Sequence, residues 1–420
     1  MPAAADTLRS GPPELRRATI ALAITQLISW GVLYYAFAVV APDMAREPGW
    51  GVTAVSGAFS VGLLVSGLSA RAVAALLGRL GPRVVMTAGS LLTIIATTLW
   101  ASASSVVTLY AAWTLIGAAM AATLYEPAIV VLTLLDSHRM RRTIATVTVA
   151  GGLASTIFVP LTQHLVETLD WRGAVAVLGC GGGGATAALH ARYLPRQVVP
   201  VPRHPPKSPG PPTRSRPMRR LRLAYLLGQA SAVAATALVV TMLIDRGVDP
   251  RAAGFVLASS GVGKVAGRLV LAGRIGRAPP ELLAAAAAAL HATAVASMLA
   301  TTSTPWLYLA GLTCGAAAGT SSVLRPLMVT RQVSLHTFAS ANARLHTSAT
   351  FARALGPLIV GSMAAHTGWT AGWALVVGGL ATAAGTYAGL GKSCRKLERE
   401  RSGLCLPTYS RSRRKPTSLN

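Results

Sequence analysis

Acidic residues are scarce in this chain: 13 Asp and Glu stand against 39 Lys and Arg over 420 residues. Charge of either sign is thin, at 12% of residues where a soluble domain carries about 25%. A surface facing water cannot be built from so little, which excludes an ordinary soluble domain. Aromatic residues are also few, at 5%. The four cysteines, Cys180, Cys314, Cys394 and Cys405, fall at spacings that fit neither a metal site nor a disulfide framework. The glycine run "GCGGGG" at 179–184 lacks the Lys-Ser/Thr pair and the strand-to-helix setting of a phosphate loop, and reads as close helix packing. With no nucleophile, metal cluster or nucleotide motif standing out, neither enzyme activity nor a cofactor is expected.

What the chain has in abundance is apolar and small side chains. Hydrophobic residues make up 52% of it and glycine contributes 41 positions, which suits helices approaching closely in lipid. A membrane crossing needs about 20 mostly apolar residues, and twelve stretches meet that length: 18–42, 53–77, 84–103, 106–135, 143–166, 174–194, 223–244, 252–271, 282–301, 306–330, 343–365 and 370–390. The first is too long for a cleavable signal peptide and has no small-residue cleavage site. The expected fold is all-α, a polytopic membrane protein with twelve transmembrane helices.

The formal net charge of +26 alone would suit a nucleic-acid binder, but the arginines sit in clusters between apolar stretches and in the last part of the chain. That is the positive-inside pattern. Inner loops then hold Arg79 and Arg83, the group Arg139, Arg141 and Arg142, the pair Arg274 and Arg277, and Arg331. Outer loops hold Asp43 with Glu47, Glu167 with Asp170, and Asp245 with Asp249. Both termini are expected in the cytoplasm, with the chain multi-pass in the cell's inner membrane and no nucleic-acid partner. The organisation read from this is a cytoplasmic segment 1–17, a six-helix bundle 18–194, a basic proline-rich linker 195–222, a second six-helix bundle 223–391 and a basic disordered tail 392–420. The tail is either simply solvated or touches anionic lipid head groups.

The two halves repeat at an offset of about 197 to 199 residues. Arg71 pairs with Arg268, Glu126-Pro127 with Arg325-Pro326, and Pro160 with Pro357; the loop run Gly78-Arg79-Leu80-Gly81 has a looser partner in Gly273-Arg274-Ile275-Gly276. Spans two and eight enter from the same side, so the halves are parallel repeats around a central cavity. With the loop "GRLGPR" after span two, this pattern resembles the major facilitator superfamily. Arg79, Gly81 and Arg83 match the signature loop of that superfamily, while Gly78 stands where its acid is expected. The opening "ITQLISWGVLYYAFAVVAPDM" and "LYEP" in span four resemble bacterial members near the monocarboxylate and oxalate/formate porters. The resemblance implies two pseudo-symmetric bundles, rocker-switch alternating access, and driving by a proton or ion gradient.

Charged side chains inside apolar spans are costly and therefore candidates for function. Glu126 lies about 14 Å from the inner end of its span at helical rise, near mid-membrane. Burial there would raise its pKa and suit a proton carrier or cation anchor; the alternative is a structural acid paired with a base. Tyr125 adds a neighbouring hydroxyl, and Pro127 is expected to loosen the preceding turn. Arg325 occupies the repeat-related place, so a Glu126–Arg325 salt bridge across an empty cavity is expected, with an anion competing for the arginine. Lys264 lies deep in span eight, where Gly67 is its first-half counterpart; Arg71 and Arg268 read as snorkelling residues. Arg344 and Arg353 add to a positive excess that favours an anionic substrate. Gln26, Trp30 and Tyr34 recur at i, i+4, i+8 and suit either a cavity wall or an interface belt, with Tyr35 beside them. Gln163, His164, Asn342 and His346 are weaker candidates. Arg79, Gly81, Arg83 and Arg274 form the gating loops, and Pro127, Pro160, Pro326 and Pro357, with Gly151, Gly152 and Gly356, are placed to bend helices.

The function this supports is secondary transport of a small organic anion by a monomer in the lipid bilayer, with proton coupling as an option. Efflux of cationic or amphipathic drugs, and a transporter-like sensor without flux, are the alternatives.

Overall fold

A backbone surrounded by lipid must satisfy its own hydrogen bonds, and helices do so within one segment. Helices are the regular elements of the computed structural model, which describes residues 13–135, 140–196, 215–274, 277–333 and 335–403. Arg139, residues 1–12, linker residues 197–214 and tail residues 404–420 lie outside the described residues. In chain order the elements are α1 (Pro13–Trp30), a π-helical turn (Gly31–Tyr35), α2 (Ala36–Arg46), α3 (Gly51–Leu80), α4 (Pro82–Ala101), α5 (Val106–Thr123), α6 (Tyr125–Leu135), α7 (Met140–Gly152) and α8 (Ala154–Tyr193). The second half continues with α9 (Arg216–Asp245), α10 (Pro250–Ala272), α11 (Pro280–Ala300), α12 (Thr304–Thr330), α13 (Leu335–Thr367) and α14 (Trp369–Gly403).

Ten helical runs among the described residues are long and apolar enough to cross a membrane, against the twelve expected. The difference has two causes. Spans 143–166 and 174–194 fall in one run, Thr143–Tyr193, of 51 residues. That run is broken at Asp170, whose φ of 66° and ψ of 176° leave the helical region. Its carboxylate accepts a hydrogen bond from the Gly173 amide at 2.8 Å and so caps the helix that restarts there. The other missing run is α13, which carries Arg344 and Arg353. Boundaries also moved. α9 begins at Arg216, inside the segment assigned to the linker, and α14 continues past Lys392 to Gly403, so the start of the tail is helical rather than disordered. Large apolar side chains such as Leu91, Ile95, Leu269 and Leu355 remain exposed on the outside, as lipid-facing surfaces require.

Packing depends on small residues. α10 and α12 touch backbone to backbone: a Cβ added at Gly267 would lie 2.1 Å from the Ala316 carbonyl oxygen, and one at Gly315 would lie 1.9 Å from that of Ser260. In the "GCGGGG" run the reading as close packing holds for Gly179, against Thr97, and for Gly183, against Ile94. The two halves of the sequence meet along two seams. α8 packs on α10, and α3 packs on α13. The first seam is closed at one end by Arg251 and Glu167, joined through two hydrogen bonds of 2.8 and 2.9 Å. Further along it, Thr156 donates to the Ala258 carbonyl at 3.1 Å. α2 also packs on α9.

Candidate functional site

Pro127 has no amide hydrogen, so the carbonyl four residues back, that of Thr123, loses its helical donor. The helix breaks there: Leu124 is extended (φ −79°, ψ −159°) between α5 and α6. Gln26 repairs the loss. Its Nε2 donates to the Thr123 carbonyl at 2.6 Å from a fully buried position on α1. The expectation of Gln26 on an open cavity wall is therefore corrected: it braces a broken helix. The break leaves Glu126 in the first turn of α6, where the helix dipole favours a negative charge.

The π turn sets the aromatic residues. It holds one residue more than an α turn, so both Tyr34 and Tyr35 come round beneath Trp30, with ring centroids 5.2 and 6.5 Å away. Tyr125 closes on the same indole at 5.0 Å, and Phe59 packs on Tyr34 at 5.3 Å. Trp30 and Tyr34, spaced as the i, i+4, i+8 stripe has them, do meet, and Tyr35, the residue beyond that stripe, is the one that meets Lys264. The Lys264 ammonium donates to the Tyr35 hydroxyl and lies 4.6 Å from the centre of its ring. Among the described residues Lys264 has no carboxylate partner. It also lines a small cleft together with Thr236, Ser260, His291, Cys314 and Trp373. One turn along, Arg268 donates to the Thr148 carbonyl at 2.9 Å and to that of Gly319 at 3.3 Å. Arg268 thus bonds across the seam rather than snorkelling. Tyr125 donates to the same Thr148 carbonyl at 3.3 Å.

Glu126 is not buried: its side chain is 64% exposed. Nor does it pair directly with Arg325, as the repeat suggested. His346 of α13 stands between them, with Nε2 2.9 Å from the Glu126 carboxylate and Nδ1 2.7 Å from Nη1 of Arg325. Arg325 also reaches the Tyr225 hydroxyl, at 3.5 Å, while its Nε is buried without a partner. Arg353 donates to Gln229 at 2.8 Å. Glu126 and Arg325 are thus brought to one cluster, and Trp30, Tyr34, Tyr125 and Lys264 to a second one. Tyr35 and His346 are the residues that pattern reading underrated. The signal for Tyr35 was the pair of adjacent tyrosines; for His346 it was a histidine in a helix that also carries arginines.

The residues expected in the gating loops lie at or just beyond helix ends. Gly81 has φ +82° and ends α3, a backbone conformation that a side chain would strain. Arg83 donates from Nε to the Leu194 carbonyl at 2.7 Å, tying α4 to the end of α8. Arg79 and Arg274 are exposed. Of the four prolines, only Pro127 lies at a break; Pro160, Pro326 and Pro357 lie inside α8, α12 and α13. In span five the regular helix is interrupted at Leu153, next to Gly151 and Gly152.

Similarity to known proteins agrees with this architecture. The chain is 27% identical over 267 residues to Monocarboxylate transporter 13 of Bos taurus, covering 62% of this chain and 59% of that protein. With Monocarboxylate transporter 11 of Homo sapiens it shares 27% over 278 residues, 62% of this chain and 57% of the relative. The chain therefore spans less than two thirds of the length of these curated relatives. Among solved structures, the nucleoside transporter NupG superposes with a TM-score of 0.69 at 14% identity, covering 90% of this chain and 99% of that one. A bacterial homolog of the human lysosomal transporter Spinster, inward-facing and occupied, gives 0.64 at 14% identity over 97% and 100% of the two chains. At such identities these likenesses speak for the fold alone. Residues 22–243, over half of the chain, match the sequence profile of the Major Facilitator Superfamily, and the chain is accordingly a member of that superfamily.

Proposed function

We propose that the chain is a secondary transporter of a small organic anion, working by alternating access. Lys264 carries this reading. A half-buried ammonium is costly without a counter-charge, and among the described residues this one faces a phenol and a cleft instead of a carboxylate. Arg268 adds positive charge one turn along α10, and Arg325 and Arg353 add it around Glu126, where an arriving carboxylate could also pair. The monocarboxylate transporter names of the curated relatives support the same substrate class, and the narrower kinship with bacterial monocarboxylate and oxalate/formate porters belongs to this reading.

The accompanying architecture is twelve spans in two six-helix bundles, 18–194 and 223–391. The Asp170 break supports counting Thr143–Tyr193 as two crossings, and α13 supplies one more. The linker and both termini are assigned to the cytoplasm and the protein to the inner membrane, on the distribution of its arginines. Drug efflux keeps one supporting observation, the exposed Glu126 carboxylate, which a cation could reach.

The two readings separate by substrate charge. Proteoliposome counterflow with panels of carboxylates and of organic cations is expected to give exchange of a carboxylate. That exchange should fall at least about tenfold in Lys264→Met, the scale of one lost charge-assisted hydrogen bond. Exchange of cations, with Lys264→Met as active as the parent and Glu126→Gln inactive, would overturn the anion reading.

A further inference from the structure

An arginine can only donate hydrogen bonds. The Arg325 nitrogen 2.7 Å from Nδ1 of His346 therefore requires that Nδ1 be bare, and leaves the imidazole proton on Nε2, where it points at the Glu126 carboxylate 2.9 Å away. The three side chains form one directed chain, Arg325 to His346 to Glu126. It joins α12 and α13 of the second half to α6 of the first.

We propose that His346 is a proton-binding site that governs Arg325. Neutral, it holds the guanidinium through its Nδ1 lone pair. When that lone pair takes a proton from water, two N–H donors and two positive charges face each other, so the bond to Arg325 is lost. The bond to Glu126 becomes an ion pair and survives. Arg325 is then free to turn its fork to a carboxylate. This last step rests on the anion reading given above; the proton site itself does not.

Protein does not seal the site: the side chain of His346 is 32% exposed and that of Glu126 64%. Charged and titratable groups stand on the elements packed against α13. α6 brings Glu126, α12 brings Arg325, and α9 brings Tyr225, which Arg325 also contacts. α3 carries Arg71, α14 carries Tyr387, and α13 itself carries Arg344 and Arg353. Glu126 is the acid in this set, so it receives the charge that protonation creates. Imidazole is the side chain that changes charge between pH 5 and 8, the range in which such a site would act. By linkage, an anion bound about tenfold more tightly to the protonated form would raise the titration midpoint of His346 by about one pH unit.

The test is nitrogen NMR of protein labelled with 15N-histidine in nanodiscs, with the His346 signal assigned by its loss in His346→Gln or His346→Leu. In alkaline buffer the parent should show Nδ1 bare and Nε2 protonated. Acidification should protonate Nδ1, and Arg325→Gln should raise the midpoint by removing the cation. A neutral form protonated on Nδ1, or a midpoint unmoved in Arg325→Gln, overturns the proton site. Acetate, oxalate and benzoate then serve as probe anions. At least one should raise the midpoint in the parent and none in Arg325→Gln. If the tautomer and the Arg325 effect hold while all three anions leave the midpoint unmoved, the proton site stands and the anion reading falls.

Discussion

Gln26 and Pro127 are coupled although they are distant in sequence. The glutamine amide supplies the donor that the proline ring lacks, and their common acceptor is the Thr123 carbonyl. Gln26→Leu should therefore lower stability by about 1–3 kcal/mol, the cost of leaving a buried carbonyl unpaired. In a Pro127→Ala background the cost should shrink, because the introduced alanine has an amide hydrogen to offer. Thermal unfolding of the two single variants and the double variant in detergent measures the coupling; simple additivity would contradict it. Gln26 also shows what pattern reading at this scale gave and missed. Its polar side chain in an apolar helix was visible in the sequence, and so was the proline. That one serves the other depends on a contact 97 residues apart, and no local spacing encodes that.

Glycine spacing governs the largest helix contact in the second half. Gly263 and Gly267 on α10 face α12, and Gly311, Gly315 and Gly319 on α12 face α10, so each backbone is in the other's groove. The same contact backs Lys264: a Cβ at Gly319 would lie 2.5 Å from its carbonyl oxygen. A bulkier residue must push the helices apart. Gly315→Leu is expected to cost at least about 1–3 kcal/mol and to lower the yield of folded protein, read by fluorescence-detected size-exclusion chromatography and melting temperature. Gly228→Ala, where the nearest atom to the added Cβ is 3.8 Å away, is the control and should be neutral. The crossings themselves were legible because about 20 apolar residues leave little alternative to a helix. Their interruptions were legible only in part. Pro127 announced the break at Leu124, but Pro160, Pro326 and Pro357, the same residue type, sit in continuous helix. A proline's effect depends on whether its neighbours supply the missing bond, and that is a property of packing.

Across the whole molecule, the ends of several helices are gathered by single polar groups. Glu47 accepts from Trp171 at 3.1 Å and from Arg172, and Arg172 donates onward to the Ala103 carbonyl at 3.1 Å. One carboxylate thus ties the end of α2 to the start of the second arm of α8 and, through Arg172, to the end of α4. Arg172, then Trp171, hold the Glu47 carboxyl below its usual range. A carboxyl lowered in the folded state stabilises it above the ordinary titration range, and that contribution disappears as pH falls through the lowered value. Melting of the parent and Glu47→Gln should therefore differ near neutrality, by about 1 kcal/mol or less for so exposed a pair, and converge as pH falls through the lowered value. A gap that widens in acid would contradict the assignment. At this scale the convergence of Glu126 and Arg325 on one place could be read from the repeat. The histidine between them could not, because its partners come from both halves and only their docking brings the three together.

The five residues 31–35 wind with one residue more than an α-helix needs. Removing Tyr35 would restore an ordinary turn and leave the helix faces on either side where they are, so the chain would still thread the bilayer in the same way. What would vanish is the hydroxyl that meets the Lys264 ammonium. A relative shorter by a single position in this turn could thus keep the architecture while presenting a differently dressed cation, and substrate choice could diverge through length where composition stayed the same.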